Sequence, residues 1–193
     1  MDLINFKRQL KLDLYEESNQ ISWEVNLPWW FNISRVKRRI LNLKKSGGIL
    51  TGSRALQGYR WNDKKVIGRR SNDWDFILTR EQLWNFFKLE KIHDLDLDSN
   101  VYSINKSLLT FYDSYSDNPD DNTYIFNGKI DIIVQENTPY TTYGDWKVSN
   151  FLDIWENKCN LVENLNSDKS HYMRESAFKH TTDINFLKLN FLI

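Results

Sequence analysis

Asp73 and Asp75 are separated only by Trp74 in the run Asn72-Asp-Trp-Asp-Phe-Ile-Leu78. Side chains of an extended strand alternate between its faces. Asp73, Asp75 and Ile77 are therefore expected on one face, and Trp74, Phe76 and Leu78 on the other, where three apolar side chains suit a core. Two carboxylates held this close repel each other unless a cation lies between them. Oxygen-only ligands suit Mg²⁺, which takes one or two carboxylates together with water and phosphate oxygens. An Asp-x-Asp pair is common, however, and often only a polar strand end, so its surroundings must decide.

Upstream lies a Gly-Ser turn, Gly52-Ser53 in Ile49-Leu-Thr-Gly-Ser-Arg-Ala-Leu56, and downstream a third carboxylate, Asp131 in Lys129-Ile-Asp-Ile-Ile-Val134. Glycine allows an anion to approach the backbone closely, and a helix beginning at this turn would offer unpaired N–H groups to phosphate oxygens. In this order the parts resemble the nucleotidyltransferase superfamily, whose DNA polymerase β-like fold is shared by aminoglycoside nucleotidyltransferases and many small toxin-like or viral enzymes. The resemblance runs from about Ile33 to Val134 and, as a looser pattern, from Lys158 through Arg174 and Lys179 to Asp183.

The resemblance implies an α+β fold, with a short mixed β-sheet, flanking helices and a C-terminal helical pair closing a nucleotide cleft. It implies transfer of a nucleoside monophosphate from ATP or another NTP to an acceptor hydroxyl. Asp73, Asp75 and Asp131 would be the catalytic and metal-binding residues, holding two Mg²⁺ ions, with Mn²⁺ as a substitute. Gly52, Ser53, Arg54 and Lys158 would bind the nucleotide. One departure is the nineteen residues between Ser53 and Asp73, more than in small members of the superfamily.

The elements that must position these residues are legible in part. Residues 1–32 read as an N-terminal extension with a helix near Asn5–Tyr15 and a Trp29-Trp30 pair assigned to packing. Val36, Ile40 and Leu43 follow helical spacing after Ile33, with Gly47 as the stop. A short strand then leads to Gly52-Ser53 and a second helix. Gln57–Asn72 reads as a loop or small hairpin, and Thr79-Arg-Glu-Gln82 as a capping box opening a helix through about Lys88. Strands are expected at Val101–Ile104 and Leu108–Tyr112, followed by an acidic loop, Asp113–Asp121. Tyr124–Val134 reads as a hairpin turning at Asn127-Gly128. Two helices, Val148–Leu165 and Asp168–Leu189, close the chain. Phe151, Trp155, Lys158 and Val162 share one stripe of the first, so an ammonium lies along an apolar face. That lysine could face phosphates or snorkel from the core edge. The whole reads as a single domain, with residues 33–135 as its catalytic core and 148–193 as its helical end.

The formal net charge of zero conceals an asymmetry. From Ile33 to Arg70 twelve basic residues face one acid, Asp63, whereas from Glu90 to Asp121 eight acids face Lys91 and Lys106. A basic segment beside the Gly-Ser turn can attract a triphosphate or hold a polyanionic acceptor. Residues 54–70 add Tyr59 and Trp61, which could stack on exposed bases, so RNA is the acceptor this segment suggests. The alternative is a solvated surface. The lone Cys159 excludes an intramolecular disulfide and a cysteine-rich zinc site, and charges throughout the first fifteen residues argue against a signal peptide. A cytoplasmic setting without membrane contact is the expectation. His93, His171 and His180 have no metal-ligand spacing, and His180 reads as a packed residue. Two further readings fit the same residues: a catalytically silent nucleotide-binding module, or a toxin–antitoxin component that modifies a protein.

Overall fold

The computed structural model describes residues 10–12, 33–69, 71, 73–91, 103–104, 109–112, 123–126, 130–165 and 171–192. These form an α+β architecture built on a mixed sheet of eight strands. In chain order the elements are β1 (Lys11–Leu12), α1 (Ile33–Lys45), β2 (Ile49–Thr51), α2 (Gly52–Gly58), β3 (Tyr59–Trp61), β4 (Lys64–Lys65), β5 (Trp74–Leu78) and α3 (Arg80–Glu90). There follow β6 (Ser103–Ile104), β7 (Leu109–Tyr112), β8 (Thr123–Phe126), β9 (Ile130–Val134), β10 (Tyr140–Tyr143), β11 (Trp146–Ser149), α4 (Phe151–Leu165), α5 (His171–Leu187) and a π-helical turn, Lys188–Leu192.

The main sheet has the order β10-β11-β2-β5-β9-β8-β7-β6, and β1-β3-β4 form a separate small sheet. Its centre carries the site. Strand β5 runs antiparallel to β2 and parallel to β9, and β9 continues antiparallel into β8. Trp74, Phe76 and Leu78 of β5 are fully buried, as their alternation requires. They join Leu83, Phe86 and Phe87 of α3 in one core with Ile132 and Val134 of β9. Burial of such large side chains stabilises the fold by about 1.5–3 kcal/mol each, so the strand that bears the aspartates is anchored from behind.

Local signals set the helix ends. At the start of α3, Thr79 Oγ1 accepts from the Gln82 backbone N–H while the Thr79 N–H donates to Gln82 Oε1, the reciprocal box expected there. Helix α1 ends in a Schellman pair, Gly48 N–H to Leu43 O and Gly47 N–H to Lys44 O. It packs against α3 through Glu90, which accepts from Asn42 Nδ2 at 2.7 Å and pairs with Arg38 and Arg39. Arg39 is thus buried structure rather than part of a solvated basic face.

Three expectations need correction. Lys11 and Leu12 are not helical; they form a strand opposite Arg60 and Tyr59, where the open backbone edge of β3 overrides helical spacing. Residues 5–9 and 13–15 of that expected helix, the Trp29-Trp30 pair, the Asn127-Gly128 turn and the Asp113–Asp121 loop lie outside the described residues. The helix expected from Val148 begins at Phe151, because Trp146–Ser149 is a strand lying parallel to β2 with Val148 beside Leu50. The final helix is regular only to Leu187 and then widens into the π-helical turn. Among the described residues no helix is long and apolar enough to cross a membrane.

Candidate active site

The register of the central strands brings the carboxylates together. Asp75 lies directly opposite Thr51 of β2 on one side and Asp131 of β9 on the other. Asp73, just before β5, accepts from Ser71 Oγ at 2.8 Å. One oxygen from each of Asp73, Asp75 and Asp131 lies within 4.8 Å of the others, close enough for one small cation to touch all three. Each is only partly exposed. Burial, and then the neighbouring Asp73 and Asp131, push the Asp75 carboxyl up to about 8, although Lys158 and Arg54 oppose the rise. Burial and Asp73 push Asp131 up to about 6. Such a set is electrostatically unfavourable alone and suited to a hard divalent cation.

Gly52 sets the distance between this cluster and the turn above it. Its φ is +65°, and a Cβ there would fall 1.9 Å from Asp75 Oδ2. Any side chain would displace the carboxylate. Ser53 follows at the start of α2, buried, and opens onto a second cluster of opposite character. Lys158 of α4 donates to Ser53 Oγ at 3.0 Å and Asp183 Oδ2 at 2.9 Å, and lies 3.2 Å from His180 Nδ1. An ammonium has three N–H donors, so all three are engaged. Arg69 grips both oxygens of Asp183, at 2.8 and 2.9 Å, and reaches Ser53 Oγ at 2.8 Å. Phe186 lies on the bare Cα of Gly68, where a Cβ would meet its ring at 2.6 Å. That contact seats the segment bearing Arg69 against α5.

Burial and the nearby Lys158 depress the His180 imidazole to about 4, so it is neutral near pH 7 and its Nδ1 accepts from the ammonium. Two cations against the single carboxylate of Asp183 leave this cluster net positive. Both clusters line one cleft of about 340 Å³, whose other walls are Ile133, Ile154, Asn157, Leu161 and Lys179.

The structure thus places Asp73, Asp75, Asp131, Gly52, Ser53 and Lys158 around one cleft, and Arg54 elsewhere. Arg54 is fully buried, with its guanidinium 4.6 Å from the Trp74 ring centroid and its N–H groups directed at Ser71 O and Asp73 O. It braces the loop carrying Asp73 from behind and does not line the cleft. Its position two residues after the glycine turns it inward on a helix of only about two turns, which sequence order could not show. The base-stacking platform is likewise corrected. Tyr59 is buried with its hydroxyl donating to Ser149 O, and Trp61 packs against the core. Of the cations in 54–70, Arg60 is buried and Arg69 faces the cleft, while Lys64 and Lys65 are exposed.

Sequence reasoning did not give His180 or Asn157 a place in the cleft, and it set Arg69 near the site only as one of several basic residues for the acceptor. The one available signal was the helical spacing of His180 and Asp183, which puts both on the face that meets Lys158. The 180–183 pairing becomes informative only once α5 is known to pack on α4.

No family model matches the chain, and no curated protein does. Among solved structures, the chain is similar to a candidate nucleotidyltransferase from H. pylori, at 13% identity over 93% of this chain and 83% of the other, with a TM-score of 0.33. That superposition is too loose to carry weight. What stands on its own is an acidic triad able to hold a metal ion, beside a net-positive cluster.

Proposed function

We propose that the protein is a Mg²⁺-dependent nucleotidyltransferase that transfers a nucleoside monophosphate from an NTP to an acceptor hydroxyl, with RNA as the acceptor class. The observation that supports this reading best is the opposite Asp75–Asp131 pair, facing Gly52-Ser53 and flanked by Lys158 and Arg69. Bound at Asp73, Asp75 and Asp131, divalent metal would neutralise the phosphate charge and lower the pKa of the attacking hydroxyl.

The chain's own residues would do the rest. Ser53, Lys158 and Arg69 would bind the β and γ phosphates, exchanging part of their hold on Asp183 for phosphate oxygens of higher charge. The Asp131 carboxylate, opposite Asp75 at the floor of the cleft, would take up the proton of the acceptor hydroxyl. The new ester bond forms at the α-phosphate as the bond to pyrophosphate breaks, and orientation within the narrow cleft accounts for much of the rate. The exposed Lys64-Lys65 strand of the β3–β4 hairpin would meet the acceptor's phosphates.

The test is incubation with Mg²⁺, each labelled NTP in turn, and a total RNA or lysate pool. Label in RNA that requires Mg²⁺ and disappears with Asp75→Asn supports the proposal. Label in protein alone moves the acceptor to a polypeptide hydroxyl, and no label in any fraction overturns transferase activity.

A further inference from the structure

On the basic side of the cleft the polar groups are already engaged with other parts of the chain, and on the acidic side Asp73, Asp75 and Asp131 are the proposed metal ligands. Lys158 has no donor to spare, Ser53 accepts from both Lys158 and Arg69, and Asp73 accepts from Ser71. Asn157, the residue before Lys158 on α4, is different: it lines the cleft, is exposed, and has no hydrogen-bond partner among the described residues. Its amide offers both N–H donors and a carbonyl acceptor. Ile154 and Leu161 lie on the same side of α4, one turn to either side, and Ile133 lies two residues beyond Asp131 on β9. These three are the apolar lining of a cleft that is otherwise polar or charged.

A nucleotide has one part that needs an apolar wall and an edge partner together, its base. The phosphates are provided for at Ser53, Lys158 and Arg69. We infer that Ile133, Ile154 and Leu161 form the nucleobase subsite and that Asn157 reads the base edge, making it the residue that sets which NTP is used. This inference rests on the proposed use of an NTP. An amide pairs with a base edge carrying an adjacent donor and acceptor, and a mismatched edge leaves one partner unpaired, which is how such sites discriminate.

The experiment measures binding of each of the four non-hydrolysable NTP analogues, and separately of inorganic tripolyphosphate as a base-free probe, to the wild type, Asn157→Ala and Asn157→Asp. The wild type is expected to prefer one or two bases by about tenfold. Asn157→Ala should erase that preference while tripolyphosphate affinity stays unchanged, and Asn157→Asp, which replaces the donor by a second acceptor, should shift the preference towards bases with a donor edge. Equal affinity of the wild type for all four analogues overturns base reading by Asn157, as does an unaltered preference in both variants. A parallel loss of tripolyphosphate binding in Asn157→Ala would show a role in the phosphate site instead. If the wild type binds neither tripolyphosphate nor any NTP analogue, the nucleotide proposal itself fails, and this inference with it.

Discussion

Two charged clusters share one cleft, and they are built on opposite plans. Asp73, Asp75 and Asp131 are acids gathered within reach of one another, and burial together with the neighbouring carboxylates raises the pKa values of Asp75 and Asp131. Ser53, Arg69, Lys158, His180 and Asp183 form a closed set in which opposite charges and hydrogen bonds meet one another's needs. The first is complete only with something from outside; the second is complete already and must be opened to bind an anion. The contrast implies that removing a charge from the triad should cost function and spare the fold, whereas removing one from the closed set should cost both.

The largest effect should come from Asp75→Asn or Asp73→Asn. Transfer should fall by at least about a hundredfold, while the metal-free melting temperature at pH 8 rises, since one member of a repulsive set is gone. Turnover assays with paired thermal melts read both quantities, and a variant that keeps its activity would break the comparison.

Gly52→Ala should follow. A left-handed residue with a side chain costs about 1–2 kcal/mol, and the Cβ would also drive the Asp75 carboxylate aside. Weakened Mn²⁺ binding together with lower resistance to urea is the expected pair of outcomes.

Lys158→Met should destabilise by about 2–4 kcal/mol, because Asp183 would keep only Arg69 and Ser53 as partners in a buried setting. Divalent-metal binding should persist and NTP binding should be lost. Chemical denaturation and two separate titrations distinguish this outcome from general unfolding.

A pH series sharpens the contrast. The Asp75 carboxyl is raised from 3.8 to about 8 and that of Asp131 from 3.8 to about 6. A raised carboxylate favours the protonated native state, so its contribution is fully present below pH 3.8 and is lost as pH climbs through the folded value. In EDTA the wild type should therefore lose stability relative to Asp75→Asn between about pH 4 and 8, and Mg²⁺ should restore it increasingly towards pH 8. Parallel curves for the two proteins would show that the triad is not strained.

The smallest effect should come from Lys64→Ala with Lys65→Ala, whose side chains are exposed. Stability should change by less than about 0.5 kcal/mol. RNA affinity and its salt slope should fall, by up to about 0.7 in slope per lost phosphate contact, while NTP affinity is unchanged. An unaltered salt slope would remove this hairpin from acceptor binding.

Short-range patterns carried much of this protein's organisation. Alternation in Trp74–Leu78 fixes which side chains face the core, the capping box at Thr79 sets a helix start, and the spacing of Gly47, Gly52 and the three aspartates is a matter of sequence order. The first two depend on neighbours within a few residues, whereas the meeting of Asp131 with Asp75 needs the parallel pairing of β5 and β9. Where the chain needed a partner from afar, the sequence was silent or misleading. Lys11-Leu12 is strand because β3 offers an edge, and Val148 is strand because β2 has room for a parallel neighbour. Arg54 lies on α2 and Arg69 in a loop, but no sequence pattern around either shows which will brace the Asp73 loop and which will face the cleft. The packing of α5 on α4 decided that, by bringing Asp183 and His180 to Lys158 and drawing Arg69 after them, since a buried ammonium and a buried carboxylate are tolerable only where distant segments supply the missing partners.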